Sequence, residues 1–277
     1  MLHSPDLGPT AAVHDPPRAR GVVRASAKLR GGVSVIDGLH QAGSFKAVFP
    51  RHEGRALQAV TVNTAGGVTS GDRFDGEFSA GDGTDLTVTT QAAERAYRAG
   101  SAQPGQVTTR LSVAAEARLS WLPQETILFD GAAFSRRMTV DVAPSGRLLF
   151  VEPVVFGRHS AGEVLQQALF DDRVTLYQDG IPLFCDAVRL SGDVSSQMER
   201  RAGGAVALAS VLYLAPDAQA VLGDIRALLP STAGASLMSR DLLHVRVLAA
   251  DSFLLRKTLI PVLERLSTDP LPRVWRI

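Results

Sequence analysis

Two carboxylates, Glu125 and Glu152, stand inside apolar, strand-like runs where patterning alone would place Val or Leu. In Leu148-Leu149-Phe150-Val151-Glu152-Pro153-Val154-Val155-Phe156, positions of both parities are apolar, so Glu152 has hydrophobic neighbours whichever way the strand faces. An ionised carboxylate taken out of water must be paired, hydrogen-bonded, metal-bound or shifted in pKa, because leaving it bare is costly. Glu125 alternates with Ile127 and Phe129 and is followed by Asp130 at the Asp130-Gly131 turn. Such acids can exchange protons with a substrate or give a cation a foothold.

Three polar segments accompany them. Asn63-Thr64-Ala65-Gly66-Gly67-Val68-Thr69-Ser70-Gly71-Asp72 is glycine-rich, but it lacks the Gly-Lys-Ser/Thr entry into a helix that a phosphate loop needs, and it runs on into strand-like Arg73 to Ser79. Asp72 therefore either caps a turn or lines a polar site. Thr89-Thr90-Gln91-Ala92-Ala93-Glu94-Arg95-Ala96-Tyr97-Arg98 is either a solvated strand end, with Glu94 and Arg95 exposed, or a segment whose Thr89, Gln91, Arg95 and Arg98 line an interior channel. In Gly157-Arg158-His159-Ser160-Ala161-Gly162-Glu163, Arg158 is placed to pair with Glu152 or Glu163, as a structural ion pair or as part of a site. None of the histidines His3, His14, His40, His52, His159 and His244 forms an H-x-x-x-H pattern, and no G-x-S-x-G elbow occurs.

The elements that must position these groups read as mainly β. From about Val22 to Leu214, short strands are broken by Gly, Asp, Ser and Pro clusters; Leu86 to Gln91 and Met138 to Val142 alternate apolar with polar. Ala205 to Ala215 is a buried strand, about half the length a membrane-spanning helix requires. Period 3.6 enters late. Val221, Leu222, Ile225, Leu228 and Leu229 share one helix face, and a second helix from Ser252 buries Leu255, Leu259, Val262, Leu263 and Leu266, with strand Leu242 to Leu248 between them. Residues 1–20 read as a flexible tail and 21–277 as a single domain.

Lys and Arg (29) balance Asp and Glu (28), which argues against nucleic acid or an anionic membrane as partner. The single cysteine, Cys185, excludes an internal disulfide or a Cys-based zinc cluster and suits a cytoplasmic setting.

The segments Asn63 to Asp72, Thr89 to Arg98, Leu122 to Phe129 (LPQETILF), Glu152 to Glu163 (EPVVFGRHSAGE) and the closing Pro272-Arg273-Val274-Trp275-Arg276, in order along the chain, resemble the UreD (UreH) family of urease accessory proteins. Thr64-Ala65 departs from the Pro-Pro or similar pair that often precedes the double glycine there. The resemblance implies an elongated β-helix-like stack of short strands with two C-terminal α-helices, and a non-enzymatic scaffold. It also implies apo-urease and UreF as partners, UreG reached through UreF, and nickel passed through an interior tunnel rather than held as a cofactor. Imidazole and thiolate clusters would trap Ni²⁺, whereas spaced carboxylates, hydroxyls and water let it go. On that footing Asp72, Glu125, Asp130, Glu152 and Glu163 are the expected ion-path acids. Thr89, Gln91 and Arg95 become polar lining, and Arg158 keeps one acid ordered. The late helices and the Trp275 tail are expected to meet the helical partner.

A β-helical carbohydrate-active hydrolase or lyase using Glu125, Asp130 or Glu152 is the competing expectation. Against it, 2 Trp and 3 Tyr make a thin supply of sugar platforms.

Overall fold

The computed structural model of the protein describes residues 17–51, 54–158 and 161–276. A hairpin of β1 (Arg20–Arg30) and β2 (Val33–Gly43) is followed by β3 (Phe45–Val48), β4 (Leu57–Asn63), β5 (Arg73–Ala80), β6 (Asp85–Thr90), β7 (Glu94–Ala96), β8 (Gly105–Val113) and β9 (Arg118–Leu122). Then come β10 (Thr126–Leu128), β11 (Ala133–Val142), β12 (Arg147–Phe156), β13 (Ala168–Gln178) and β14 (Ile181–Gly192). Helix α1 (Val194–Ala202), β15 (Ala207–Leu214), α2 (Ala218–Leu228), β16 (Ala233–Ser239), β17 (Leu242–Ala249), α3 (Ser252–Leu266) and a 3-10 turn at Arg273–Trp275 complete the order.

Two sheets face each other. One runs β14-β13-β11-β8-β5-β1-β2 and the other β16-β17-β15-β12-β9-β6-β4-β3. The chain alternates between them through the middle of the sequence, so β1, β5, β8, β11 and β13 are mutually parallel, as are β4, β6, β9 and β12. Parallel neighbours need a crossover. Here the crossover is a strand of the opposite sheet, which makes a β-helix-like stack, closed at its ends by antiparallel hairpins. Ala25, Phe78, Leu111, Val140 and Leu176 fall in one row across the first sheet, all buried, so the inward-facing positions lock the register.

The second sheet is covered twice. Phe150, Val154 and Leu212 point to the first sheet, whereas Val151, Val155, Val211 and Val245 pack under α2 and α3 with Ile225, Leu259 and Leu263. That double burial is why Leu148 to Phe156 is apolar at both parities.

The late helices lie where the periodicity predicts them, and β15 and β17 match the predicted strands. Helix α1 has no counterpart in the sequence reading, because it buries only Val194 and Met198 and so carries too little apolar period to register. It is marked by its ends instead: Asp193 caps Ser196 N, and Gly203 closes it in the left-handed region at φ 58°. The tail expected over 1–20 falls mostly outside the described residues. At its end the chain is docked, with Ala19 N donating to Asp72 Oδ1 at 2.8 Å and β1 starting at Arg20. Among the described residues no helix is long and apolar enough to cross a membrane.

Candidate functional site

The second sheet is interrupted at one level. Strand β6 ends at Thr90 and β7 begins at Glu94; on the next coil β9 ends at Leu122 and β10 begins at Thr126. These breaks stack, since β6 pairs with β9 and β7 with β10, while β12 runs through the same level carrying Glu152 and Pro153. Where the ladder is broken a cavity of about 330 Å³ opens. Its rim includes Gln91, Ala92 and Arg95, and its floor includes Trp121, Thr126, Arg136 and Glu152. A second void of about 20 Å³, room for about one water, lies beyond Glu152 and is bounded by Asp172, Asp186, Ser210 and Arg246. Glu152 borders both.

The two voids belong to a polar belt that divides the interior. Phe134, Phe170 and Val154 lie on one side of it and Phe78, Leu111, Val140, Leu176 and Phe150 on the other. Thr109, Arg136, Asp172 and Asp186 supply it from the first sheet, and Glu152, Ser210 and Arg246 from the second. Cross-strand register puts Glu152, Ser210 and Arg246 in one row.

At the centre Glu152 accepts the indole N–H of Trp121 at 2.7 Å and is ion-paired to Arg136, both side chains about 5% exposed. Arg136 also grips both oxygens of Asp172, at 2.9 and 2.6 Å. Burial works against the charge on Arg136, but Asp172 and Glu152 outweigh it and hold the guanidinium above its usual range. Burial pushes the Glu152 carboxyl up to about 7, with Arg136 pulling the other way and Asp172 adding to the rise. Glu94, on the cavity wall, is also raised by burial, although Asn63 Nδ2 donates to it at 3.1 Å.

A pH-dependent stability follows. Between the ordinary value of 4.5 and about 7, folded Glu152 keeps a proton that the unfolded chain has lost. Wild-type stability therefore falls as pH rises through that window, by up to about 1.4 kcal/mol per unit. Glu152→Gln removes this slope. In urea melts the variant is expected to gain on wild type between about pH 5 and about pH 8; a variant that loses ground over that range would instead mark Glu152 as an ordinary paired carboxylate with a lowered pKa.

The other expected acids are placed elsewhere. Asp72 is buried, its oxygens accepting Ala19 N and Thr69 N at 2.8 Å each, which is the turn-capping alternative. Asp130 accepts the backbone N–H of Gln166 and Gln167 and is held below its usual range first by Gln167 and then by Arg98. Glu163 pairs with Arg158 at 2.9 Å, and that pairing lowers its pKa; Arg158 also stacks over Phe129 at 4.3 Å. Arg158 thus orders Glu163 and leaves Glu152 to Arg136. Glu125 is clamped by Arg256 of α3, whose Nη1 lies 3.2 Å from each of its oxygens. Thr89 Oγ1 donates to Leu122 O at 2.6 Å, tying the strands together just before the break, and Gln91 and Arg95 sit exposed at the mouth. Gln124 Nε2, buried on the cavity wall, has no acceptor among the described residues, so it is a donor that cavity water would satisfy. Of the expected set, Glu152, Gln91 and Arg95 share the cavity lining, while Asp72, Asp130 and Glu163 are committed to turns and loops.

No cluster of three metal-ligating side chains occurs among the described residues. The belt offers carboxylates interspersed with hydroxyls and guanidinium groups.

Residues 19–276 match the family model described as UreD urease accessory protein. The chain is 51% identical over 252 residues to a urease accessory protein UreD of Ruegeria pomeroyi, covering 90% of this chain and 98% of that one. It is 45% identical over 270 residues to a urease accessory protein UreD of Roseobacter denitrificans, covering 97% and 98%. With that of Sinorhizobium medicae it shares 43% over 275 residues, covering 96% and 99%. A family-model match from 19 to 276 and identities of 43–51% over nearly the whole of each chain lead to one assignment: the chain belongs to the UreD family of urease accessory proteins.

Proposed function

We propose that this chain serves the maturation of urease without turning over a substrate, as an adaptor between apo-urease and UreF, with UreG reached through UreF, and as a conduit that lets Ni²⁺ cross its interior. The observation that carries the reading is the belt: polar groups run across the core from the cavity mouth at Gln91 and Arg95 to the half-buried Asp186–Arg246 pair on the late coils, with Glu152 bordering both voids. A purely structural core has no use for a polar layer this long, because apolar side chains of similar volume would stabilise it as well or better. Nickel is cargo here. An ion entering from the mouth meets Glu94 and then Glu152, each a single acid that can bind and release. Docking of the helical partner is supported by Phe253, 71% exposed, and Leu254 beside it at the start of α3. The carboxylate pair of the hydrolase alternative is not assembled, since Glu125 is held toward α3, Asp130 is spent on a loop, and Glu152 faces between the sheets.

The test is Glu152→Gln, with assembly checked by size exclusion and the nickel content of urease matured in its presence measured by mass spectrometry. Delivered nickel is expected to drop on the order of tenfold or more with the assembly intact. Normal nickel content would leave the chain a passive adaptor.

A further inference from the structure

The charges of the belt are not evenly matched. Arg136 commits Nε and Nη2 to the two oxygens of Asp172, at 2.9 and 2.6 Å, a bidentate pair without net charge. Arg246 is paired with Asp186 through a single contact, Nη2 to Oδ2. Glu152 receives only the remaining corner of Arg136, Nη1, which also reaches Thr126 Oγ1 at 3.3 Å, together with the uncharged N–H of Trp121. The groups facing it are thus Trp121 from β9, Arg136 from β11, Asp172 from β13, Asp186 from β14 and Arg246 from β17. His244 on β17 is kept toward its neutral form by burial and is bonded to Ser210 at 2.9 Å. Glu152 is thus the acid of this set without a guanidinium of its own.

We propose that Asp172 is a positioning residue: by neutralising Arg136 it keeps that guanidinium from closing both arms on Glu152, so that Glu152 remains an exchangeable foothold for a divalent cation between the two voids. The inference rests on the conduit reading and adds to it which residue sets the exchange. Two acids thus take different parts, Asp172 as permanent partner of the Arg136 guanidinium and Glu152, held by one corner of that guanidinium and one indole N–H, as the acid left open to the ion. Were Asp172 absent, Arg136 would turn its planar fork onto Glu152, the geometry guanidinium and carboxylate prefer. The ion would then have to compete with a fixed, buried charge.

This distinguishes Asp172 from a direct ligand. Asp172→Asn is expected to lower the nickel delivered to urease about tenfold with the complex intact, since Arg136 and Glu152 still balance each other. Adding Arg136→Gln removes the unmatched guanidinium and is expected to restore delivery to within about threefold of wild type. A double variant as defective as the single makes Asp172 a ligand and overturns the proposal, as does an Asp172→Asn chain that delivers nickel normally. Should Asp172→Asn fail to assemble, the double variant, which leaves no unmatched guanidinium, decides: delivery within about threefold of wild type upholds the proposal, and a loss of about tenfold with the complex intact overturns it. If Glu152→Gln delivers nickel normally, the conduit reading fails first; if Glu152→Gln is defective and the Asp172 results go the wrong way, only this inference fails.

Discussion

Arg136→Met is expected to cost roughly 3–5 kcal/mol of stability, a fall in Tm on the order of 10 °C. The methionine keeps the apolar stem but leaves buried Glu152 and partly buried Asp172 with no cation between them, both in reach of the same lost guanidinium. One or both must then take up a proton, so the penalty should shrink as pH falls from about 7 to about 5. Thermal melts across that range check the sign. A small loss that does not change with pH would mean that water reaches the pair and that the belt is wetter than its 5% side-chain exposure implies. The loss should also be larger than that of the Arg136→Gln/Asp172→Asn double variant, because removing both partners of a buried pair leaves less uncompensated charge than removing one.

The belt also shows how far the residues speak for themselves. Glu152 was legible because an acid in a run apolar at both parities has no wet face to turn to. Arg136 carries the same kind of signal: it shares parity with Phe134, Met138 and Val140, which line the interior, yet the alternation is conspicuous only from Met138 onward. Asp172 between Phe170 and Val174, Asp186 between Phe184 and Val188, and Arg246 between His244 and Leu248 are further charges on the inward parity of their strands. What alternation along one strand does not carry is which rows meet. Glu152 finds Arg136 because consecutive strands are dealt to opposite sheets, and that depends on where each coil turns. Local chemistry has the opposite bias. Asp72 stands beside a glycine where a turn is expected and accepts Thr69 N within that turn, whereas Asp130, also beside a glycine, accepts the N–H groups of Gln166 and Gln167 from a loop distant in sequence. Arg158 and Glu163 find each other within one loop, where proximity in sequence outweighs any pull from the interior.

Trp275→Ala should be the most damaging change in the last turn of the chain, at about 3–5 kcal/mol. The expectation that the closing tail is a partner surface does not hold for this residue: Trp275 is fully buried among Leu122, Leu259 and Leu271, its Nε1 donates to Leu122 O at 2.9 Å, and Arg256 lies over its ring at 5.1 Å. Trp275→Phe separates the terms. Leu122 O still accepts Thr89 Oγ1, so losing the indole N–H strands no buried carbonyl and should cost only about 1 kcal/mol beyond the lost volume. The alanine variant also removes the ring under Arg256, whose other arms hold Gln124 Oε1 at 2.7 Å, Val274 O at 2.9 Å and Glu125. Gln124 lines the cavity that opens where β9 breaks. Loosening the tail should therefore loosen the mouth of the belt, and hydrogen exchange at Gln124, whose N–H donates to Thr90 Oγ1 at 2.8 Å, is expected to speed up in Trp275→Ala but not in Trp275→Phe. Equal exchange in both variants would show that the tail stabilises the helical layer without reaching the cavity. Removing everything after Pro270 deletes Leu271 and Trp275 together, so lost assembly in such a truncation reports first on this core and only afterwards on any partner.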